Sequence, residues 1–148
     1  MLARSAFALA LSTLTGVLAA SAAPATGSAG PTLIVRDSDY GRILFDGAHR
    51  ALYGFTRDPR GRSTCSGACT RAWPPYIVRG PLRAGKGTQR SLLGWTMRSD
   101  GRRQLTYAGR PLYYYAGDPV GKVLCQNVSE FGGLWLVVRP DGRLVRRA

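Results

Sequence analysis

Three cysteines, one histidine and two aspartates in matching contexts are the residues of this 148-residue chain whose types and spacing could do chemistry. Cys65-Ser-Gly-Ala-Cys69 is a C-x-x-x-C pair which, with Cys125 and His49, could ligate copper(I), zinc or haem iron, or exchange thiols. That spacing is none of the strong zinc patterns, and no C-x-x-C occurs. The competing reading is structural, because in an exported chain two of the three thiols should pair. Cys65 and Cys69 come within bonding range if the turn between them is helical, and this local pairing is favoured. Cys125 could instead join Cys65 or Cys69, closing a loop of roughly 60 residues worth about 4 kcal/mol. Asp58 and Asp118 could be two carboxylates for acid-base work. Each also opens an Asp-Pro-x-Gly, which explains both as turn residues. A single imidazole excludes any multi-histidine metal site. A nucleophilic mechanism would need His49 as its base, in a Gly-Ala-His-Arg stretch without a serine or cysteine elbow. These residues point away from an enzyme, and neither a catalytic group nor a resident cofactor is expected.

The elements that must position these residues are announced by an internal repeat. Shifted by 60 positions, Arg50 to Cys65 lies over Arg110 to Cys125 without a gap, matching Arg50/Arg110, Leu52/Leu112, Tyr53/Tyr113, Asp58/Asp118, Pro59/Pro119, Gly61/Gly121 and Cys65/Cys125. The flanks repeat more loosely, with a strand-like run before each motif (Arg42–Phe45, Gln104–Tyr107) and a tryptophan after each cysteine (Trp73, Trp135). Tyr53 and Phe55 alternate with Gly54, so both rings share one face of a strand, and Tyr113 and Tyr115 do the same. Such rings could make a ligand platform, but two symmetric halves need matching inner faces, which favours core. The Asp-Pro-x-Gly segments read as type I turns with Asp first. Ser99-Asp100-Gly101 marks a hairpin between Leu92–Met97 and Arg103–Tyr107, and Pro140-Asp141-Gly142 another between Leu134–Val138 and Leu144-Val145. One short helical turn is expected from Ser66 to Ala72, stopped by Pro74-Pro75, and residues 81–90 read as a loop joining the halves. The expected fold is all-β: two pseudo-symmetric hairpin or meander repeats, about 41–78 and 92–142, packed into one small sandwich or barrel.

The N-terminus reads as a signal peptide: Arg4, an apolar run to Ala20, and a small-x-small site at Ala20-Ser21-Ala22 that places cleavage after Ala22. Residues 23–31, rich in Ala, Pro, Gly and Ser, make a flexible leader, and 32–148 a single β domain. Leu18-Ala-Ala-Ser21 has serine where a lipid-bearing cysteine would stand, so the expectation is a freely secreted or periplasmic protein without a lipid anchor or a transmembrane segment in the mature chain. With 45% hydrophobic and 20% charged residues the chain is not disordered. Its formal +13 suits docking to anions: nucleic acid, lipid headgroups or envelope polymers. The arginines are scattered apart from Arg57–Arg62 and Arg143–Arg147, and export separates the chain from cytoplasmic nucleic acid. Anionic cell-envelope components or a small ligand are the partner classes that remain.

Tyr53-x-Phe55-x-x-Asp58 and Tyr113-x-Tyr115-x-x-Asp118 resemble the Y-x-(F/W/Y)-x-x-D motif of a family of bacterial predicted lipoproteins, also called the secreted repeat of unknown function. Cys65-Ser-Gly-Ala-Cys69, Gln104-Leu-Thr-Tyr-Ala-Gly-Arg-Pro-Leu-Tyr113 and Phe131-Gly-Gly-Leu-Trp135 extend the likeness over about residues 41–142. The resemblance implies an extracytoplasmic repeat protein and no particular chemistry; the missing lipid-bearing cysteine departs from it. A non-enzymatic binding or envelope-associated role is the expected function. The alternative is a small redox or metal-handling protein built on Cys65, Cys69 and Cys125.

Overall fold

The computed structural model describes residues 32–146; the signal segment, the cleavage after Ala22 and the leader 23–31 lie outside them. Eight short strands form: β1 (Leu33–Ser38), β2 (Gly41–Asp46), β3 (Tyr53–Phe55), β4 (Leu93–Met97), β5 (Arg103–Tyr107), β6 (Arg110–Pro111), β7 (Val128–Glu130) and β8 (Gly133–Val137). They are joined by one helical turn, α1 (Ala68–Ala72), and one 3₁₀ turn at Arg90–Leu92. Among the described residues the strands make three small antiparallel sheets, ordered β1-β2, β3-β8-β7 and β4-β5-β6, and no closed barrel. The architecture is all-β and two-fold repeated, as the sequence predicts.

The repeats are interlocked rather than laid side by side. Tyr53 and Tyr113 exchange both backbone hydrogen bonds, N to O 2.9 Å each way, at the centre of a pseudo-dyad. Around it the bonds come in matched pairs that cross between halves. Thr56 N–H donates to Leu134 O and Ala116 N–H to Ala72 O, while Leu44 N–H donates to Val138 O and Leu105 N–H to Tyr76 O. Each repeat's tyrosine segment thus pairs with the other repeat's tryptophan segment.

One half completes this pairing less fully. β3 makes a ladder with β8 over Tyr53–Phe55, but Tyr113–Tyr115, expected as a strand, forms no ladder with the Trp73 segment: it keeps an isolated bridge to Pro75 and the bond from Tyr114 N–H to Pro74 O. The cause lies opposite: Trp73 is followed by Pro74 and Pro75, which have no N–H to give, where Trp135 is followed by Leu136 and Val137. The turns also differ from expectation. The bonded turn after β3 runs from Pro59 to Arg62, with Arg62 N–H on Pro59 O and Gly61 at φ +73°, so the turn begins one residue later and glycine takes its left-handed third position. Pro119 to Lys122 repeats it with Gly121 at φ +77°. This leaves each aspartate side chain outside the turn.

The core has two parts. On the dyad, four rings pile up in the order Phe55, Trp135, Trp73, Tyr115: the first two centroids are 4.1 Å apart at 7°, the tryptophans 4.1 Å apart at 3°, and Trp73 to Tyr115 is 5.0 Å. Tyr53 meets Trp73 and Tyr113 meets Trp135 edge-on, at 5.2 and 5.1 Å. The second cluster is mainly aliphatic, with Leu33, Leu44, Leu52, Leu105, Leu112 and Val138. Alternation along β3 therefore serves the core, as the duplicated pattern implies.

Candidate functional site

The paired motif residues have a definite physical task. Asp58 Oδ1 accepts Thr64 N–H and Thr64 Oγ1–H, both at 2.7 Å, and so pins its own loop; its Oδ2 accepts the hydroxyl of Tyr113, 2.6 Å away in the other repeat. Asp118 does the same with Leu124 N–H at 2.9 Å and the Tyr53 hydroxyl at 2.6 Å. Both carboxylates are thereby occupied by a loop and by a crossed phenol. Neither faces a cleft as an acid-base pair would, and the shared geometry accounts for tyrosine and aspartate at this spacing.

A cation is buried beside the first lock. Arg98 is 8% exposed, and its guanidinium donates to Ser63 Oγ, Gln104 Oε1 and Cys65 O at 2.7–2.8 Å. Ser63 Oγ lies 2.6 Å from the Tyr113 hydroxyl, so guanidinium, hydroxyl, phenol and Asp58 carboxylate form one chain. In the second repeat Val123 stands at the place of Ser63, and no such chain forms there. Sequence reasoning missed Arg98; an arginine directly before Ser-Asp-Gly looks like a surface turn residue.

Burial first, then the crossed Asp118, pushes the Tyr53 phenol far above its usual 10.0, and burial with Asp58 does the same to Tyr113. Tyr114 is raised likewise by burial, Tyr76 and Asp46. A raised folded-state value means that the unfolded phenol ionises first, so the stabilisation is complete below pH 10 and is lost as pH rises past it. In a phenolate-absorbance titration, Tyr53, Tyr113 and Tyr114 should ionise only together with cooperative unfolding. Reversible ionisation of all seven tyrosines near pH 10 in folded protein would contradict the buried locks.

The cysteines resolve as one bond and one thiol. Cys65 and Cys69 are disulfide-bonded with Cα atoms 5.4 Å apart, tying the chain before α1 to its first turn, which starts at Ala68 and not at Ser66, and both pack in the core cluster that holds Trp73. Cys125 is a partly buried free thiol near Tyr115, and burial pushes it up, which keeps it protonated. His49 is exposed at φ +67°, the position that Gly109 occupies at φ +72° in the second repeat. Its carbonyl accepts Gly121 N–H, as Gly109 O accepts Gly61 N–H. Among the described residues no three His, Cys, Asp or Glu side chains stand where they could hold a metal ion. A copper or zinc ion therefore finds no donor set of that size there.

The open surface that combines charge with an aromatic ring lies along β4. Trp95 is 49% exposed, with the Arg103 guanidinium 5.3 Å from its ring centroid. A cleft of about 570 Å³ runs between Leu93–Trp95 on one side and Gly80–Leu82 with Arg90 on the other. A neighbouring cleft of about 470 Å³ shares Gly80 and Arg103 and adds Arg79 and Arg102. Among the described residues no acidic side chain lines either cleft, though Asp100 pairs with Arg102 at 2.7 Å. The alternation Leu93-x-Trp95-x-Met97 was the available signal for this face, since it puts an exposed tryptophan and methionine on one side of an outer strand.

A family model described as a secreted repeat of unknown function matches residues 34–76 and again 94–139, more than half of the chain. The chain belongs to that family. No curated protein and no solved structure matches it. The two matched stretches are the two halves that cross at the dyad, so the secreted repeat is here a structural unit completed by its partner. Secretion agrees with the disulfide, which belongs to an oxidising extracytoplasmic compartment. No helix among the described residues is long and apolar enough to cross a membrane.

Proposed function

We propose that this secreted repeat protein is a non-enzymatic binding module that attaches to anionic components of the cell envelope, released by cleavage after Ala22 and carrying no lipid anchor. The observation that carries this reading is the β4 cleft, where Trp95 offers a half-exposed ring and Arg90 and Arg103 offer cations with no acidic side chain beside them. A flat ring takes apolar or sugar surface while guanidinium forks take carboxylate or phosphate. The motif residues support a scaffold role instead: their carboxylates and phenols are already bonded to each other.

The test is titration with a soluble polyanion, inorganic polyphosphate, followed through Trp95 emission. Trp73 and Trp135 are buried and stacked, so the quenching should vanish in Trp95→Phe. Binding should fall steeply with added salt, and Arg90→Gln with Arg103→Gln should weaken it about tenfold. No quenching at low ionic strength, or binding indifferent to both arginines, would sink the proposal.

A further inference from the structure

We infer that the outer edge of β4 is a docking site for an extended acidic peptide, which adds to the β4-β5-β6 sheet as a further strand. The inference rests on the binding role just proposed and names its site and ligand class. The argument begins at the matching edge of the first repeat. There β1 does not end its sheet bare: the linker lies along it, with Thr32 N–H on Arg83 O at 2.9 Å, Gly85 N–H on Leu33 O at 2.8 Å and Val35 N–H on Lys86 O at 2.9 Å, and a parallel bridge from Leu33 to Ala84.

β4 is the repeat equivalent of β1. Leu33 and Val35 lie opposite Asp46 and Leu44, and Leu93 and Trp95 lie opposite Tyr107 and Leu105. Leu105 gives its N–H to Tyr76 O and its carbonyl to Leu112 N–H, so Trp95, directly opposite, is in a non-bonded pair and turns its own N–H and carbonyl outward. Leu93 and Met97, two residues away on either side, alternate in phase with it. Among the described residues no backbone group takes up the outward N–H groups of Trp95 and Met97, while that of Leu93 closes back on Arg90 O. Among the described residues one linker serves two equivalent edges, and the second keeps open, from Trp95 on, the hydrogen-bonding row that the first has filled.

Two features choose the occupant. The empty row runs along the cleft of about 570 Å³, so there is room beside it for a strand. Arg90 and Arg103 line that cleft, with Arg79 beyond, and this favours carboxylate side chains on the incoming segment. A second copy of the chain pairing edge to edge would bring the same arginines together, against a formal charge of +13 on each copy. Backbone bonds would supply affinity, and the alternating acidic side chains would supply choice of partner.

The probe is a capped octapeptide of alternating valine and glutamate, titrated into the full-length protein and read by Trp95 emission and by amide exchange. It should bind, and the Trp95 and Met97 amides should pass from fast exchange to protected. The same peptide N-methylated at alternate residues, in each of the two phases, keeps its charge but cannot complete the row. One phase should bind at least about tenfold more weakly than the other. A valine-lysine octapeptide should not bind. If polyphosphate binds and the valine-glutamate peptide does not, the edge-strand site is wrong while the envelope-binding role stands; if neither binds, both fall. Equal loss in both N-methylated phases, or a concentration-dependent dimer that protects the same two amides without peptide, would also overturn the inference.

Discussion

Trp135→Ala should cost about 4 kcal/mol of folding stability, enough to leave a domain of this size barely folded. Trp135 is fully buried and touched on every side: Phe55 stacked on one face, Trp73 on the other, and Tyr113 against it edge-on. Removing the indole leaves a cavity at the dyad with walls from both repeats. The three rings cannot close it without breaking the Tyr53–Tyr113 backbone pair that fixes their spacing. Trp95→Ala, half-exposed on β4, should change stability by no more than about 0.5 kcal/mol. Urea unfolding followed by circular dichroism separates the two, and a loss below about 1.5 kcal/mol for Trp135→Ala would show that the stack is not the centre of the core.

The second large effect is a coupling between repeats. Tyr53→Phe and Asp118→Ala each break the same bond, so in a double-mutant cycle they should be non-additive by about 1.5–3 kcal/mol, the range for a hydrogen bond to a charged acceptor. Tyr53→Phe and Asp58→Ala, which sit five residues apart in one repeat but share no bond, should add to within about 0.5 kcal/mol. Tyr113 with Asp58 repeats the first pattern. Its absolute costs should be larger, because Ser63 and the buried Arg98 guanidinium lose their place in the chain as well. Coupling within a repeat instead of across would refute the crossed arrangement.

Much of the fold was legible because the repeat is nearly ungapped and its periodicities are clean. Tyr53-x-Phe55 announces an inner face, and Ser99-Asp100-Gly101 lies at the β4-β5 turn, where Arg98 and Arg102 share a backbone bond. Cys65 and Cys69 do bond, but the helical turn starts only at Ala68, after a non-helical Gly67, so the condition for their pairing was read too narrowly. The crossing was not legible. Each repeat carries both a tyrosine and an aspartate, so the sequence pattern is identical whether the phenol finds the carboxylate of its own repeat or of the other. β1 and β7 escaped for a different reason: Leu33-Ile-Val-Arg-Asp lacks strict alternation, and Val128-Ser-Glu130 is too short to show any. Pro74 and Pro75 were read correctly as ending a helix, but their second consequence, the missing donors opposite Tyr113–Tyr115, depends on knowing what lies across from them. The β4 cleft and its neighbour gather Arg79, Arg90 and Arg103 from three separated stretches, a cluster invisible in a linear count of charge.

The crossed phenol bonds also fix the arithmetic by which such a chain can grow or shrink. A third copy of the motif appended to this one would bring a hydroxyl and a carboxylate whose counterparts are already engaged, and each would be left to water or to a neighbouring molecule. Deleting one copy would strip the same two groups from the survivor. Insertion and deletion are therefore tolerated in twos, and a gene-level change that alters the number of motifs by one converts a self-contained molecule into one that must find its other half in solution.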